Sequence, residues 1–459
     1  MKVKSARHLW ESVIRLLVTQ VLVFRLKSIF ANGIFIKSTL LIGGVFFIWE
    51  GIIVYLSLND ETYLVKGKVN GCIYSFKSRK MYSVNTALME KIEQINEHEM
   101  TKDDIDDELK SVIDVFIKNE IIVQKNFHER HDIEDLKCQT VPSFAWIEIT
   151  TKCNLKCKHC YNDSHPQRDE SMSLQNFRTV VDKLKNLGIT RIQIIGGEPF
   201  MEGAVLKDML DYSKNKFEFI EVFTNGTLMD DEWIKYIKEN GIHIALSVYS
   251  YIETEHDKVT DSIGSYKKTN DTIKKLEAAD IPYRVCNVLM KDLCLGVKNT
   301  DLYELNPSKD VVRMSGRANT CLLSEELVRK KLITKETFRK PLNKEMSIKM
   351  INGHNCFNNK LYISADLKIY PCVMERRMMH GMIESNSDII LSKKIRELNK
   401  DRVSGCSLCE YRYNCFDCRS DSISEIIDEK PWYCTYIPEE GKWIDVDQFI
   451  AELREKEII

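Results

Sequence analysis

Six short apolar runs recur through the middle of this 459-residue chain, most of them followed by a stretch with helical spacing. They read AWIEIT from Ala145, RIQIIG from Arg191, FIEVFT from Phe219, HIALSV from His243, YRVCNVLM from Tyr283 and DVVRM from Asp310. Between them, segments such as LQNFRTVVDKLKNLG and SYKKTNDTIKKLEAAD carry the apolar period of a helix with one buried face. Strands that alternate with helices are joined as right-handed β-α-β units in a parallel sheet, and a sheet this long curls toward a barrel. The expected fold is α/β, with a partial (β/α)6 barrel over residues 141–320. In such sheets reactive groups gather at the C-terminal strand ends, so the residues after each run are the first place to look for chemistry.

Directly after the first run stand Cys153, Cys157 and Cys160, within TKCNLKCKHCYN. Fifteen cysteines are many for this length. Three sit here and seven lie between Cys356 and Cys434, while Cys72, Cys138, Cys286, Cys294 and Cys321 are scattered. Clustering of this kind argues for metal chemistry, whereas a secreted disulfide scaffold is short and follows a cleavable signal. A net charge of −2 supplies no field for generic phosphate binding, so nucleic acid is not an expected partner. Structural zinc draws on cysteine pairs far apart in sequence, and one tight loop offering three sulfurs beside His159 makes an awkward tetrahedron. Three soft sulfurs on a short loop suit a cubane iron–sulfur cluster that keeps one iron without a protein ligand.

The spacing Cys-x3-Cys-x2-Cys, with His159 in the aromatic-type place before the last cysteine, resembles the cluster loop of the radical S-adenosylmethionine (radical SAM) enzymes. In that family the open iron is chelated by S-adenosylmethionine, whose reductive cleavage yields a 5'-deoxyadenosyl radical. Gly196-Gly197-Glu198-Pro199, after the second run, matches the family's GGEP motif, which receives the methionyl amino group. Paired glycines admit a ligand near the backbone, and a carboxylate complements an ammonium. By the same resemblance Thr224, Asn225 and Ser247 face the nucleoside and His159 joins them in cofactor binding. The stretch EHDKVTDSIGSYKKT, with His256, Asp257, Thr260, Gly264 and Ser265, is expected to position a helix rather than to react. No catalytic acid or base stands out.

The later cysteines run Cys356-x15-Cys372, then Cys406-x2-Cys409-x5-Cys415-x2-Cys418, then Cys434. Their number and order resemble the SPASM extension of radical SAM enzymes, which holds two auxiliary clusters. That resemblance gives Cys406, Cys409, Cys415 and Cys434 to one cluster and Cys356, Cys372 and Cys418 to the other, three 4Fe–4S clusters in all. Two positions depart from the family pattern: Leu367 stands five residues before Cys372, where glycine is frequent, and two residues rather than three separate Cys415 from Cys418. A cluster held by three cysteines keeps an iron to which a peptide thiolate can bind.

Ahead of the barrel, residues 61–124 read as strands TYLVKG, CIYSF and KMYSVN, then helices TALMEKIEQI and MTKDDIDDELKSVIDVFI, then a closing EIIVQ. Thr101 with Asp103 and Asp104 marks a helix start. This order is winged-helix-like, and in company with the two cysteine regions it resembles the leader-peptide recognition domain of maturases acting on ribosomally made peptides (RiPPs). Residues 125–140 read as a linker, 321–440 as the SPASM region and 441–459 as a C-terminal tail. Residues 1–60 form an apolar segment in which 39–58 reach the length of a membrane span, interrupted by Glu50, and Leu9–Phe24 make a second apolar run. Membrane contact through residues 1–58 stays an open alternative, although Arg25, Lys27 and Lys37 before the main run would leave the bulk of the chain outside the cytoplasm. The expectation is a cytoplasmic enzyme, served by a reductant such as flavodoxin or ferredoxin, that installs a thioether (sactionine-type or related) crosslink in a precursor peptide carrying a leader. Carbon–carbon crosslinking, epimerisation and sulfatase-type formylglycine formation are the alternatives on the same scaffold.

Overall fold

The computed structural model describes residues 36–42, 45–51, 53–294, 310–354, 356–424 and 426–459. They form two compact units: one runs through Lys66 and resumes over Asn70–Asp135, the other comprises Gly67–Val69 and Leu136–Ile459.

In the first unit, strands β1 (Ile36–Ile42) and β2 (Val45–Gly51) pair antiparallel within the stretch whose length suggested a membrane span. Its residues Val45, Phe46, Phe47 and Ile48 are of the β-branched and aromatic kind that favour strands. Among the described residues no helix is long and apolar enough to cross a membrane, and the Leu9–Phe24 run lies outside them. Strand β3 (Tyr55–Leu58) pairs antiparallel with β7 (Ile122–Lys125), which is the closing EIIVQ run. Strands β4 (Thr62–Lys66), β5 (Gly71–Ser75) and β6 (Lys80–Val84) make an antiparallel meander. Helix Thr86–Glu97 follows, its first turn capped by Asn85, whose Oδ1 accepts from the Leu88 amide at 3.0 Å. The start read at Thr101 is a 3-10 turn, Lys102–Asp104, closed by a reciprocal Thr101–Asp104 capping box; the helix proper is Asp107–Lys118. Ile92, Ile95, Ile113 and Phe116 bury against Leu56, Leu58, Ile73 and Ile122. Residues 125–135, which read as linker, pack into this unit instead: Ile133 is buried and Asn96 Nδ2 donates to the His131 carbonyl at 3.0 Å.

In the second unit, β8 (Phe144–Glu148), β9 (Arg191–Ile195), β10 (Phe219–Thr224), β11 (His243–Ser247) and β12 (Tyr283–Cys286) lie side by side in chain order, all parallel. Helix Leu174–Asn186 shows why the crossings form: Ser173 caps it at 3.1 Å, and Phe177, Val180, Val181 and Leu184 share one face, packed on Ile147, Ile192 and Ile194. The sixth run makes no strand. DVVRM contributes one parallel bridge, Leu289 to Val311. The sheet grows from its opposite side, where β13 (Lys360–Ile363) pairs parallel with β8 and is followed by antiparallel β14 (Lys368–Tyr370) and β15 (Gly381–Met382). The cysteine-rich region is thus continuous with the barrel sheet. Leu367 turns between β13 and β14 with φ of +68°, the left-handed region in which glycine is at ease. Residues 441–459 are no loose tail, since helix Val446–Glu455 buries Phe449, Ile450 and Leu453 in the core that includes Val328 and Leu332.

Candidate functional site

A cavity of about 380 Å³ lies at the C-terminal ends of β8–β12. Cys153, Cys157 and Cys160 line it together with His159, Gly196, Gly197, Thr224, Asn225 and Ser247. Residues spread over nearly a hundred positions meet there because five parallel strands end at the same level.

The cysteine loop is held from several sides. Lys156 and Lys158 donate their amides to the carbonyls of Thr260 and Val259, at 3.1 and 2.9 Å, so the loop rests on the end of helix Glu253–Thr260. Arg317 grips it from the opposite direction: Nε donates to the Cys157 carbonyl at 3.0 Å, Nη1 to Asp163 at 2.6 Å and Nη2 to the Ser164 carbonyl at 2.8 Å. Gly316, at φ +60°, has no room for a Cβ beside the Cys160 carbonyl and the Tyr161 backbone. Each sulfur also has a polar neighbour: Leu155 N and Asn225 Nδ2 at Cys153, Tyr249 Oη at Cys157 and Ser164 N at Cys160. His159 meets the Tyr249 ring edge-on at 4.7 Å, and Tyr249 in turn packs on His256 at 5.4 Å.

The paired glycines serve this loop rather than open space. A Cβ on Gly196 would stand 2.6 Å from the Thr150 carbonyl, and one on Gly197 would overlap the Lys152 carbonyl. The close approach is closed by Gly197 N to Thr150 O and Glu198 N to Lys152 O, both 2.7 Å. Glu198 and Pro199 stand behind the wall. The Glu198 carboxylate is fully buried and accepts from Thr224 Oγ1 at 2.7 Å, the Asn225 amide at 2.8 Å and the Phe200 amide at 3.1 Å. Burial pushes it up to about 7 against the lowering effect of those bonds. Helix Ser265–Ala278 fixes the same strand end, with Thr269 and Thr272 donating to the carbonyls of Asn225 and Gly226 at 2.7 and 2.6 Å. Asp257 starts that helix by accepting from Gly264 N and Tyr266 N, so the EHDKVTDSIGSYKKT stretch does position a helix.

Burial raises the thiols: Cys157 is pushed up to about 12, with Cys160 adding to the effect, and Cys153 rises too. Such sulfurs keep their protons at neutral pH until a metal displaces them. Three converging soft donors, a nucleoside-sized cavity and strand-end polar groups suit an iron–sulfur group with a bound cosubstrate.

Residues 147–297 match the Radical SAM superfamily. This chain carries a radical SAM domain. The chain is 29% identical over 265 residues to the antilisterial bacteriocin subtilosin biosynthesis protein AlbA of Bacillus subtilis (strain 168), across 57% of this chain and 56% of that protein. It is 26% identical over 192 residues to the sporulation killing factor maturation protein SkfB of the same organism, across 41% and 45%. The chain therefore spans about half the length of these curated relatives. The crystal structure of Streptococcus suis SuiB bound to precursor peptide SuiA aligns with a TM-score of 0.49 and 11% identity, over 82% of this chain and 98% of that one.

Beyond the radical SAM domain, Cys406, Cys409, Cys415 and Cys434 line one small pocket. Cys356, Cys372 and Cys418 form a second group: burial, then the nearby Cys356, pushes the Cys372 thiol up to about 12, and Cys418 adds to it. Val373 and Met374, next in chain to Cys372, line the radical SAM cavity, as do Arg313, Cys286 and Tyr161. The scattered Cys321 is exposed. Sequence reading passed over Tyr249, Gly316 and Arg317. Tyr249 had a signal, standing two residues after Ser247 at a strand end; the role of Arg317 appears only once the chain folds back.

Proposed function

We propose that this chain is a radical SAM peptide maturase that forms a thioether crosslink in a ribosomally made precursor peptide. The observation that carries the reading is the single cavity bounded by the three-cysteine loop on one side and by the Cys372 segment on another. In this reading Cys153, Cys157 and Cys160 hold the radical-generating cluster, Gly196, Gly197, Thr224, Asn225, Ser247 and His159 shape the cosubstrate's place, and Glu198 fixes the strand end behind it. Cys406, Cys409, Cys415 and Cys434 hold one auxiliary cluster, and Cys356, Cys372 and Cys418 the other. When bound, these groups supply a hydrogen-abstracting radical at the first site and, at the three-cysteine auxiliary site, a place for the peptide thiolate and for the electron that C–S closure releases. The chain's own part is to hold the peptide between the two places, on a wall that carries the cations Arg284 and Arg313.

The relatives named for bacteriocin biosynthesis and killing-factor maturation support a peptide substrate. The strand-then-helix unit supports leader recognition at residues 61–124, where β6 is an outer strand of its meander and an extended peptide could add by backbone pairing. A flavodoxin- or ferredoxin-type protein is the expected reductant. The substrate for the test is a short cysteine-containing peptide sought in the reading frames that neighbour this chain's. Incubated with reconstituted, reduced enzyme, it should lose about two hydrogens of mass per bond formed. A cysteine-free version that is still crosslinked sinks the thioether reading.

One observation favours a second reading, epimerisation: Cys286 lies in the cavity with its sulfur 2.7 Å from Arg284 Nη1, placed to return a hydrogen atom. Peptide mass unchanged in H2O but raised by one deuterium in D2O, an uptake abolished by Cys286→Ala, selects it.

A further inference from the structure

Lys400 is the most completely buried cation in the described part of the chain, with a side chain 2% exposed. Its ammonium lies 2.9 Å from Cys415 Sγ and 2.8 Å from Asp417 Oδ1. Asp417, itself without exposure, also carries an ion pair with Arg419, whose side chain is 3% exposed. Two buried cations thus share one carboxylate. Taking an ammonium out of water costs several kcal/mol unless anions around it make up the difference. Arg419 also donates to the carbonyls of Ile427 and Glu429, whereas Lys400 faces the pocket of Cys406, Cys409, Cys415 and Cys434, which is lined by Lys400, Arg412 and Lys430 and, among the described residues, by no carboxylate. Arg412 is met by Asp401 at 2.7 Å outside that lining, and Lys430 donates to the Tyr436 carbonyl at 2.7 Å. Such a pocket is built to hold an anion, and four thiolates around an iron–sulfur group are one.

We infer that Lys400 is a charge-setting residue for the four-cysteine site: its buried ammonium, in contact with Cys415, makes the iron–sulfur group held there easier to reduce. Potentials of such groups respond to net charge, to hydrogen bonds at the sulfurs and to solvent exposure, and Lys400 supplies the first two in a place where the third is small. The inference rests on the reading of these four cysteines as an iron–sulfur site. Lys400→Met keeps the length of the side chain and removes the charge, and it leaves Asp417 paired with Arg419.

The test is a potentiometric EPR titration of the full-length protein, reconstituted anaerobically with iron and sulfide, in a background where Cys153, Cys157 and Cys160 are alanine so that only the auxiliary signals remain. With Lys400→Met the midpoint of one signal should fall so that reduction at a fixed potential is at least about tenfold less favourable, about 59 mV for one electron, while Lys400→Arg stays near the parent. An unmoved midpoint with full iron overturns the inference alone. If Lys400→Met loses iron, retention of iron and midpoint in Lys400→Arg supports a role for the charge, and loss in both variants overturns it. Parent protein without auxiliary iron and sulfide overturns the cluster reading itself, and the inference with it.

Discussion

Gly197 leaves no space for a side chain, because the Lys152 carbonyl occupies the place a Cβ would take. The obstacle is backbone at the root of the cysteine loop, not the flexible end of a side chain. Gly197→Ala should therefore destabilise the protein by roughly 3 kcal/mol or more, read as a lower denaturation midpoint together with loss of iron uptake at the first site. Its neighbour Glu198 gives a pH-dependent expectation. Unfolded, this carboxyl holds its proton only below its ordinary 4.5, whereas folded and buried it holds it up to about 7. Between those values the native state binds more protons than the unfolded chain, so stability falls as pH rises through that window. At roughly 1.4 kcal/mol per unit, the loss approaches about 3 kcal/mol by pH 8. Urea unfolding of metal-free protein at pH 5 and pH 8 should show that slope, and Glu198→Gln should remove it; equal slopes in both proteins would count against the burial argument.

At the scale of elements, the cysteine loop works because other segments hold it. Helix Glu253–Thr260 supports its backbone, and the Gly316–Arg317 segment clamps residues 157–164. Arg317→Ala should speed removal of iron from the first site by a chelator on the order of tenfold, with the auxiliary sites unaffected. Five of the six runs form strands, legible from alternation because each is apolar and flanked by a clear helical face. The sixth run reads as a strand but forms none: DVVRM carries Asp310 and Arg313 and makes only two backbone hydrogen bonds to the neighbouring segment, Leu289 N to Asp310 O and Val312 N to Leu289 O. Strand β13 was not legible, since the four residues KLYI carry no period and their place beside β8 is decided across more than two hundred residues of chain. Glu148 shows what secures that join, accepting from Tyr362 Oη at 2.5 Å and the Ala365 amide at 3.1 Å. The apolar stretch before residue 60 shows a related limit: composition alone does not separate a span-length run from paired strands, and its described residues pair as β1 with β2 and as β3 with β7, the latter through contacts far along the sequence. Within the site, the cysteines and strand-end motifs were readable as short patterns. The purpose of the glycines, the buried place of Glu198 and the grips of Tyr249 and Arg317 depend on tertiary packing, and no local pattern carries them.

Across the whole molecule, three groups of cysteines lie in the second unit, one lining the radical SAM cavity, one beside its wall and one in a cationic pocket. Anaerobic reconstitution should accordingly yield about twelve irons per chain, falling by about four when the cysteines of any one group become alanine. A colourless zinc protein would end the iron–sulfur reading. The claim on which the rest depends is that the first site cleaves S-adenosylmethionine. The reconstituted full-length protein, reduced with dithionite and given S-adenosylmethionine, should form 5'-deoxyadenosine, and the variant with alanine at Cys153, Cys157 and Cys160 should form none. Fully iron-loaded protein that yields no 5'-deoxyadenosine, or a triple variant that yields as much as the parent, would contradict the account.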